Sequence, residues 1–217
     1  MNAKRILVAD DHPLSREGLS MAVRHAIPGA QVVSAGTIAA AEAMAVQAPP
    51  FRLALLDLML PDTQGFSGLV RLQFSLPDVP IAVITAREEP ELAAAARDLG
   101  AAAFLSKSMP LDELAEALRL INEGQPVFPE VVGSTGIASL RDRIGLLSAA
   151  QRRVLFALVD GRANKQIAHD LSVTEATIKA HLTAIFRQLG VTNRMQAMLA
   201  LQPLLGSQTG PSQAEAG

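Results

Sequence analysis

Five short apolar segments alternate with five helix-like segments over the first 120 or so residues, and this alternation restricts the fold more than any other feature. Strands are predicted at 4–9, 31–35, 53–56, 80–85 and 101–105, and helices at 13–26, 37–47, 65–76, 89–99 and 111–122. Strands that alternate with helices form a parallel sheet with helices on both faces and right-handed crossovers. We therefore predict an α/β domain with a five-stranded, doubly wound, flavodoxin-like sheet.

Polar residues follow four of these predicted strands. Asp10 and Asp11 come after the first strand, Asp57 ends the third, Thr85 ends the fourth and Lys107 lies just beyond the fifth. The carboxyl ends of parallel strands meet at one edge of the sheet, which is where α/β sheets bind ligands. We expect three carboxylates, a hydroxyl and an ammonium group to share one shallow site.

The chemistry of such a site is restricted by charge. Three carboxylates held close together repel one another, so we expect a cation to join them. Oxygen ligands in small number suit Mg²⁺, which keeps several waters and binds phosphate oxygens. An aspartate beside the ion can act as a nucleophile and form an aspartyl-phosphate, while the lysine and threonine hold phosphoryl oxygens.

Each of these residues also has a purely structural interpretation. Asp10 and Asp11 can cap the first helix, and Thr85 can cap the helix after the fourth strand. Asp57 can be a turn residue before Pro61-Asp62. Lys107 can be a solvated surface lysine. Their common placement at strand ends in one alternating pattern favours the functional interpretation.

Residues 4 to about 123 resemble the receiver domain of two-component response regulators. The resemblance makes Asp57 the phosphoacceptor. It implies that Asp11 ligates Mg²⁺ directly and Asp10 through a water. Asp57 and the backbone carbonyl of Met59 complete the implied protein ligands.

The same resemblance assigns three further residues to a switch. Thr85 matches the hydroxyl that moves toward the phosphoryl group, and Lys107 matches the family's lysine. Phe104 occupies the position of the switch aromatic and is implied to turn inward. One departure follows the lysine, because Ser108-Met109 intervene before Pro110 where many receivers place proline directly after it.

Composition excludes several classes of protein. The chain has no cysteine, so it forms no disulfide, thiol nucleophile or cysteine-ligated metal site. No apolar run reaches the roughly 18 residues of a membrane span, so no membrane partner is expected. The N-terminus becomes acidic too early for a signal peptide. We therefore expect a soluble, cytoplasmic protein.

Charge differs between the two halves of the chain. Residues 1–124 carry 10 basic against 15 acidic residues, a net −5, whereas residues 125–217 carry 9 against 6, a net +3. Such asymmetry indicates two domains with different partners, although chance can also produce it. The predicted organisation is a receiver domain at 1–124, a linker at 125–145 with a flexible point at 132–136, a helical domain at 146–203 and a disordered tail at 204–217.

The second half predicts a helix-turn-helix. Helices are expected at 148–159, 165–171, 174–189 and 193–201, with a short additional helix at 138–143. A short helix, a tight turn and a longer helix form the arrangement whose second helix enters a DNA major groove. A helical bundle for protein contacts gives the same periodicity, but basic residues on both sides of the turn favour DNA.

The segments LSAAQRRVL, GRANKQIAHDL and VTEATIKAHLTAIFRQLGVTNR resemble the LuxR-type helix-turn-helix of the NarL/FixJ regulators. The resemblance implies base contacts by Lys179, Ala180 and Thr183. Phosphate contacts are implied for Lys165 and Arg194. The predicted DNA-binding set is Lys165, Thr177, Lys179, Ala180, Thr183, Arg187 and Arg194. The last helix resembles the family's dimerisation helix, although its apolar residues can equally form core, and His181 is interpreted as a packing residue.

The two resemblances together predict a transcriptional regulator and not an enzyme. A sensor histidine kinase or a small phosphodonor would phosphorylate Asp57, and the active form would bind double-stranded DNA as a homodimer. One alternative is a receiver-type regulator controlled by protein contacts without phosphorylation. A Mg²⁺-dependent phosphatase is a further alternative, but such enzymes carry a second aspartate where this chain has Met59.

Overall fold

A computed structural model describes residues 4–47, 50–130 and 137–205. Its α/β part contains a parallel sheet with the strand order β2-β1-β3-β4-β5. The strands are β1 (Lys4–Ala9), β2 (Ala30–Ala35), β3 (Phe51–Leu56), β4 (Ile81–Thr85) and β5 (Ala103–Ser106). The predicted five-stranded, doubly wound sheet is confirmed, with strand ends shifted by one to two residues from the expected positions.

Five helices cover the two faces of this sheet. They are α1 (Pro13–Ala26), α2 (Ile38–Gln47), α3 (Ser67–Ser75), α4 (Pro90–Asp98) and α5 (Leu111–Asn122). Helices α1 and α5 pack on one face, and α2, α3 and α4 pack on the other. The part of the chain that the structure describes has no helix both long and apolar enough to cross a bilayer.

Strand β3 is apolar because both of its faces are covered. Leu53 and Leu55 pack in the core beneath α1 and α5. Ala54 and Leu56 point to the opposite face and pack in the core beneath α2, α3 and α4. Successive side chains of a strand point to opposite faces, so a continuous apolar run is what a doubly covered strand requires.

Helix α2 is capped from two places in the chain. The Thr37 hydroxyl accepts a hydrogen bond from the Ala40 amide at 3.1 Å, as predicted from the sequence. The carboxylate of Asp62 accepts from the amides of Ile38 and Ala39 at 2.9 and 3.0 Å. Asp62 lies in the turn after β3, so its carboxylate ties that turn to the first turn of α2.

The helical part contains five helices after the sheet. They are α6 (Ala138–Gly145), α7 (Ala149–Val159), α8 (Asn164–Asp170), α9 (Glu175–Leu189) and α10 (Arg194–Leu205). Helix α6 matches the short helix expected in the linker, and its Leu140 and Ile144 are buried against the other helices. Helix α10 continues through Leu205, beyond its expected end at 201. The flexible point predicted at 132–136 lies outside the described residues, as do residues 206–217.

Two helices of this part begin at side-chain caps that the sequence predicted. Ser148 accepts from the Gln151 amide at 3.2 Å, and the Gln151 side chain accepts from the Ser148 amide at 2.8 Å. Gln151 and Ser148 therefore form a capping box at the start of α7. The Thr174 hydroxyl caps α9 by accepting from the Thr177 amide at 3.1 Å.

The two parts of the chain touch through polar and aromatic contacts. Arg71 of α3 forms a close pair with Glu42 at 2.6 Å, and its other terminal nitrogen lies 3.8 Å from Asp160 Oδ2 at the end of α7. The Arg152 guanidinium lies 4.0 Å from the centre of the Phe74 ring. These contacts surround a cavity of about 630 Å³ between α2 and α3 on one side and α7 and α8 on the other.

Asp160 is an unfavourably buried carboxyl group in this junction. Its side chain is only 12% exposed, and its Oδ1 is buried without a hydrogen-bond partner. Burial raises the pKa of Asp160 to about 6, against the opposing attraction of Arg71 and Arg162. The folded protein therefore holds a proton on this carboxyl more tightly than the unfolded chain does.

The substitution Asp160→Asn should reduce the pH dependence of stability. A carboxyl whose pKa is raised on folding contributes stability below its unfolded pKa, and that contribution is lost as the pH rises through about 6. Between pH 5 and 7.5 the wild type should lose about 1–2 kcal/mol that the variant does not lose. Urea unfolding at both pH values measures this difference, with the exposed Asp170→Asn as control. Parallel pH curves for the wild type and Asp160→Asn would contradict the prediction.

Candidate functional site

The strand order brings the predicted site residues to one edge of the sheet. Asp10 and Asp57 follow the neighbouring central strands β1 and β3, and the Asp57 amide donates to the Ala9 carbonyl at 2.9 Å. Lys107 follows the edge strand β5, and its amide donates to the Thr85 carbonyl at 2.8 Å. These backbone hydrogen bonds fix the main-chain positions from which the side chains of Asp57 and Lys107 reach the site.

The Lys107 ammonium joins the two central carboxylates. Its Nζ lies 2.6 Å from Asp57 Oδ2 and 2.7 Å from Asp10 Oδ2. Both carboxylates are almost fully buried, with side-chain exposures of 2% for Asp57 and 0% for Asp10. Two buried like charges this close are tolerated because the ammonium lies between them.

Opposing effects set the ionisation of this cluster. Burial on its own raises the pKa of Asp10, but hydrogen bonds from Lys107 and Ser15 outweigh it and hold the pKa below the usual value. Burial likewise lowers the pKa of Lys107, and the hydrogen bonds to Asp10 and Asp57 reverse this and raise it. Asp10 is therefore ionised and Lys107 protonated at neutral pH.

Helix α1 supplies contacts that the sequence did not predict. The Ser15 hydroxyl donates to Asp10 Oδ2 at 2.5 Å, and the His12 amide donates to Asp10 Oδ1 at 2.8 Å. Arg16 donates to the backbone carbonyl of Asp10 at 2.6 Å. Ser15 and Arg16 lie in the first turn of α1, five and six residues after Asp10, so their place at the start of this helix was the one signal that could have found them.

The acidic residues also provide ligands of the type that a divalent cation needs. One ligand atom from each of Asp10, Asp11, His12 and Asp57 lies within 4.8 Å of the others. Asp11 Oδ1 is buried and has no hydrogen-bond partner. A buried carboxylate oxygen without a partner is costly, and a bound cation would satisfy it. The donor set therefore fits Mg²⁺.

Asp57 also makes the turn contact that its structural interpretation predicted. The Met59 amide donates to Asp57 Oδ1 at 3.0 Å, which closes a local turn after β3. The Met59 side chain is 57% exposed. One oxygen of Asp57 thus shapes the loop, while the other contacts Lys107.

The two predicted switch residues are both buried. Thr85 Oγ1 accepts a hydrogen bond from the Arg87 amide at 3.2 Å, which holds the start of the loop after β4. Phe104 is 6% exposed and already lies in the core beneath α2, α3 and α4. The aromatic side chain therefore occupies an inward position in this structure.

Glu88 is a loop contact that the sequence did not predict. Its carboxylate accepts hydrogen bonds from the hydroxyls of Ser106 and Ser108, the latter at 2.7 Å. These bonds tie the loop after β4 to the loop after β5. Thr85 and Lys107 thus lie at the bases of two connected loops.

The predicted helix-turn-helix is formed by α8, α9 and the turn between them. Ser172 in this turn has a φ of 53°, in the left-handed region, and its amide donates to the His169 carbonyl. Helix α9 buries Ile178, Leu182, Ile185 and Leu189 along one stripe and ends at Gly190 with a φ of 72°. The opposite face of α9 is exposed to solvent.

The predicted DNA-binding residues divide into an exposed group and a half-buried group. The exposed group comprises Lys165, Lys179, Ala180, Thr183 and Arg187. Thr177 and Arg194 are half-buried, and Arg194 donates to the Arg162 carbonyl at 3.0 Å. The Thr183 hydroxyl donates to the Lys179 carbonyl at 3.0 Å. His181 is half-buried, in keeping with a packing role.

Two family profiles match the chain. The profile described as "Response regulator receiver domain" matches residues 6–119. The profile described as "Bacterial regulatory proteins, luxR family" matches residues 145–201. The first match covers the acidic cluster, and the second covers the helix-turn-helix.

Curated proteins resemble the chain over nearly its whole length. The glycerol metabolism activator of Pseudomonas putida is 34% identical over 90% of this chain and 94% of its own. The probable transcriptional regulatory protein NarL of Mycobacterium tuberculosis is 33% identical over 89% of this chain and 91% of its own. The nitrate/nitrite response regulator protein NarP of Escherichia coli is 28% identical over 94% of this chain and 97% of its own.

Solved structures share the fold. A LuxR family DNA-binding response regulator from Silicibacter pomeroyi is 34% identical, covers 58% of this chain and 98% of its own, and has a TM-score of 0.52. The RcsB response regulator of Salmonella typhimurium is 22% identical over 93% of this chain and 99% of its own, also with a TM-score of 0.52.

The substitution Lys107→Met should destabilise the protein at neutral pH by about 2–4 kcal/mol, because it leaves two buried carboxylates without their counter-ion. The lowered pKa of Asp10 stabilises the fold above the unfolded pKa, and that gain disappears as the pH falls. Because that gain is lost only below the ordinary aspartate pKa of 3.8, the difference from the wild type should shrink toward pH 3. Urea unfolding measures it, with the exposed Lys165→Met as control. Equal losses at pH 7 and pH 3 would contradict the electrostatic explanation.

Proposed function

The chain belongs to the response regulators that join a receiver domain to a LuxR-type DNA-binding domain, and from this premise we propose that phosphorylation of Asp57 controls its binding to DNA. The family makes it a DNA-binding transcriptional regulator and not an enzyme. The observation that carries the proposal is the buried contact of Asp57 with Lys107, at 2.6 Å beside Asp10. A turn residue alone does not need that arrangement.

The phosphoryl group comes from a histidine of a sensor kinase or from a small phosphodonor. A carboxylate oxygen of Asp57 attacks phosphorus, the bond from phosphorus to the donor atom breaks, and the donor leaves with the bonding electrons. Lys107 lies within reach of an oxygen on the transferred group because it already contacts Asp57 Oδ2. Such a site contributes mainly positioning and charge stabilisation.

Mg²⁺ is the proposed cofactor, and the chain offers a suitable set of oxygens. Asp11 and Asp57 would hold it directly with the backbone carbonyl of Met59, and Asp10 would hold it through water. When bound, the ion offsets the negative charge that gathers on the phosphoryl oxygens. The unpartnered Oδ1 of Asp11 supports this assignment.

Thr85 and Phe104 are proposed to relay the change. The Thr85 hydroxyl, at the carboxyl end of β4, is positioned to exchange its contact with the Arg87 amide for one with a phosphoryl oxygen. Phe104 is buried, and it remains inward as the loop after β4 closes on the site. The Glu88 bonds to Ser106 and Ser108 carry that movement to the loop that contains Lys107.

DNA contact is assigned to the open face of α9. Lys179, Ala180 and Thr183 face bases, while the cations Lys165, Arg187 and Arg194 contact phosphates. The exposure of Lys179, Ala180 and Thr183 supports this assignment, since these side chains are free of the α/β part. A structural neighbour, RcsB, is described in a complex with DNA.

The active form is proposed to be a homodimer on double-stranded DNA. Helix α10 leaves Met195 75% exposed and Leu199 59% exposed, four residues apart on one face. Two such faces can pack together and set the spacing of two recognition helices. The functional units are proposed to be a receiver domain at 1–124, a linker at 125–145, a DNA-binding domain at 146–203 and a tail at 204–217, of which Leu204 and Leu205 still belong to α10.

Wild-type protein should gain the mass of one phosphoryl group when incubated with a small phosphodonor and Mg²⁺. Asp57→Ala should gain none, because its nucleophile is absent, and Asp112→Ala should be labelled like the wild type because its carboxylate is exposed on α5. Intact-mass spectrometry measures the labelling. An unlabelled wild type, or equal labelling of Asp57→Ala, would sink the proposal. Regulated DNA binding that survives in Asp57→Ala would favour control by protein contacts instead.

Lys179→Ala should weaken specific DNA binding by about 1–3 kcal/mol, the range for one base contact. The control Arg119→Ala removes the same charge from α5, which makes no proposed DNA contact. Fluorescence anisotropy, with fragments captured from genomic DNA by the phosphorylated protein, measures both affinities and their dependence on salt. Retention on DNA that neither salt nor Lys179→Ala changes would favour a protein-interaction role for the helical part.

A further inference from the structure

His12 directly follows the acidic pair and has no role in the function proposed above. It precedes α1, yet its side chain makes no capping bond to that helix. Its Nδ1 lies 2.7 Å from Asp11 Oδ1 and 3.7 Å from Asp10 Oδ1. The ring thus reaches into the cluster of carboxylates although 68% of the side chain is exposed.

The contact between His12 and Asp11 is short but is not a hydrogen bond. Asp11 Oδ1 lies 2.7 Å from the ring nitrogen and yet has no hydrogen-bond partner. Neighbouring ligands of an octahedral ion, each about 2.1 Å from the metal, are separated by about 3 Å. The observed 2.7 Å is close to that separation.

We propose that His12 Nδ1 is a direct ligand of the divalent cation in the acidic site, so that this site takes a mixed nitrogen and oxygen ligand set. The inference rests on the proposed function, in which the carboxylates of Asp10, Asp11 and Asp57 hold a cation. One ligand atom of His12 and one from each of these carboxylates lie within 4.8 Å of one another, close to the roughly 4.2 Å that separates opposite ligands of such an ion.

A nitrogen ligand changes which ions the site prefers. Carboxylates, carbonyls and water suit Mg²⁺, whereas imidazole suits later transition ions such as Co²⁺ and Ni²⁺. With His12 as a ligand the site binds Co²⁺ more tightly than an oxygen-only site would, and Mg²⁺ gains little because it exchanges a water for a softer donor. The protein can then carry either class of ion, according to which is available.

Metal titration of three proteins tests the affinity. These are the wild type, His12→Ala and His25→Ala, which removes an exposed imidazole from the last turn of α1. We expect Co²⁺ affinity to fall roughly tenfold or more in His12→Ala alone, since even partners outside the ligand shell are worth that much. Mg²⁺ affinity should change by less than about twofold in every protein, because Mg²⁺ prefers oxygen ligands.

Pulsed electron paramagnetic resonance with Mn²⁺ tests the ligation itself. Coupling of the metal electrons to a nitrogen nucleus should be present in the wild type and His25→Ala and absent in His12→Ala. Retained Mg²⁺ binding shows that His12→Ala still folds and keeps its carboxylate site. This readout does not depend on phosphoryl transfer.

The outcomes separate this inference from the function on which it rests. If the wild type binds Mg²⁺ but shows no nitrogen coupling, His12 ligation is overturned and the phosphorylation proposal stands. If Mg²⁺ affinity falls in His12→Ala as much as Co²⁺ affinity does, His12 acts by holding Asp11 and the selective nitrogen ligand is overturned. If the wild type binds no divalent ion at all, the proposed Mg²⁺ site fails as well.

Discussion

The Lys107 ammonium, held between Asp10 and Asp57, is the interaction on which the rest of the site depends. Its two contacts, at 2.7 and 2.6 Å, allow two nearly inaccessible carboxylates to remain close together. The lysine belongs to the loop after β5, two strands away from β3 in the sheet. The long side chain spans that distance because its own amide is bound to the Thr85 carbonyl on the intervening strand.

The acidic cluster carries more negative charge than Lys107 can compensate. Asp10, Asp11 and Asp57 carry three negative charges when ionised, and Lys107 compensates one of them. The remaining formal charge of about −2 matches one divalent cation. Among the described residues, Asp11 Oδ1 is the buried carboxylate oxygen of this cluster that lacks a hydrogen-bond partner. Lys107 contacts Asp10 and Asp57 but not this Asp11 oxygen, so an ion would bind Asp11 Oδ1 without displacing Lys107 from it.

The sequence predicted those features that depend on local pattern and failed on those that depend on partners far along the chain. Apolar runs and strand-end polar residues located the sheet and the cluster around Asp57, because a doubly wound fold fixes where strand ends meet. The Asp62 cap on α2 and the Glu88 bridge join different loops, so nothing local marks them. The contact of Arg71 with Asp160 joins residues 89 positions apart, and only the folded surfaces bring them together.

The contact between the two parts of the chain bears on how the proposed signal from Asp57 would travel. The junction uses α3 and α7 and leaves Lys179 on α9 exposed, so in this arrangement the α/β part does not cover the proposed DNA face. A second contact lies closer to the site: the Phe66 amide, at the end of the loop that starts at Asp57, donates to the Leu204 carbonyl of α10 at 2.5 Å. Movement of that loop therefore reaches the helix with exposed Met195 directly. The proposed control through pairing of α10 therefore fits these contacts better than control by covering α9.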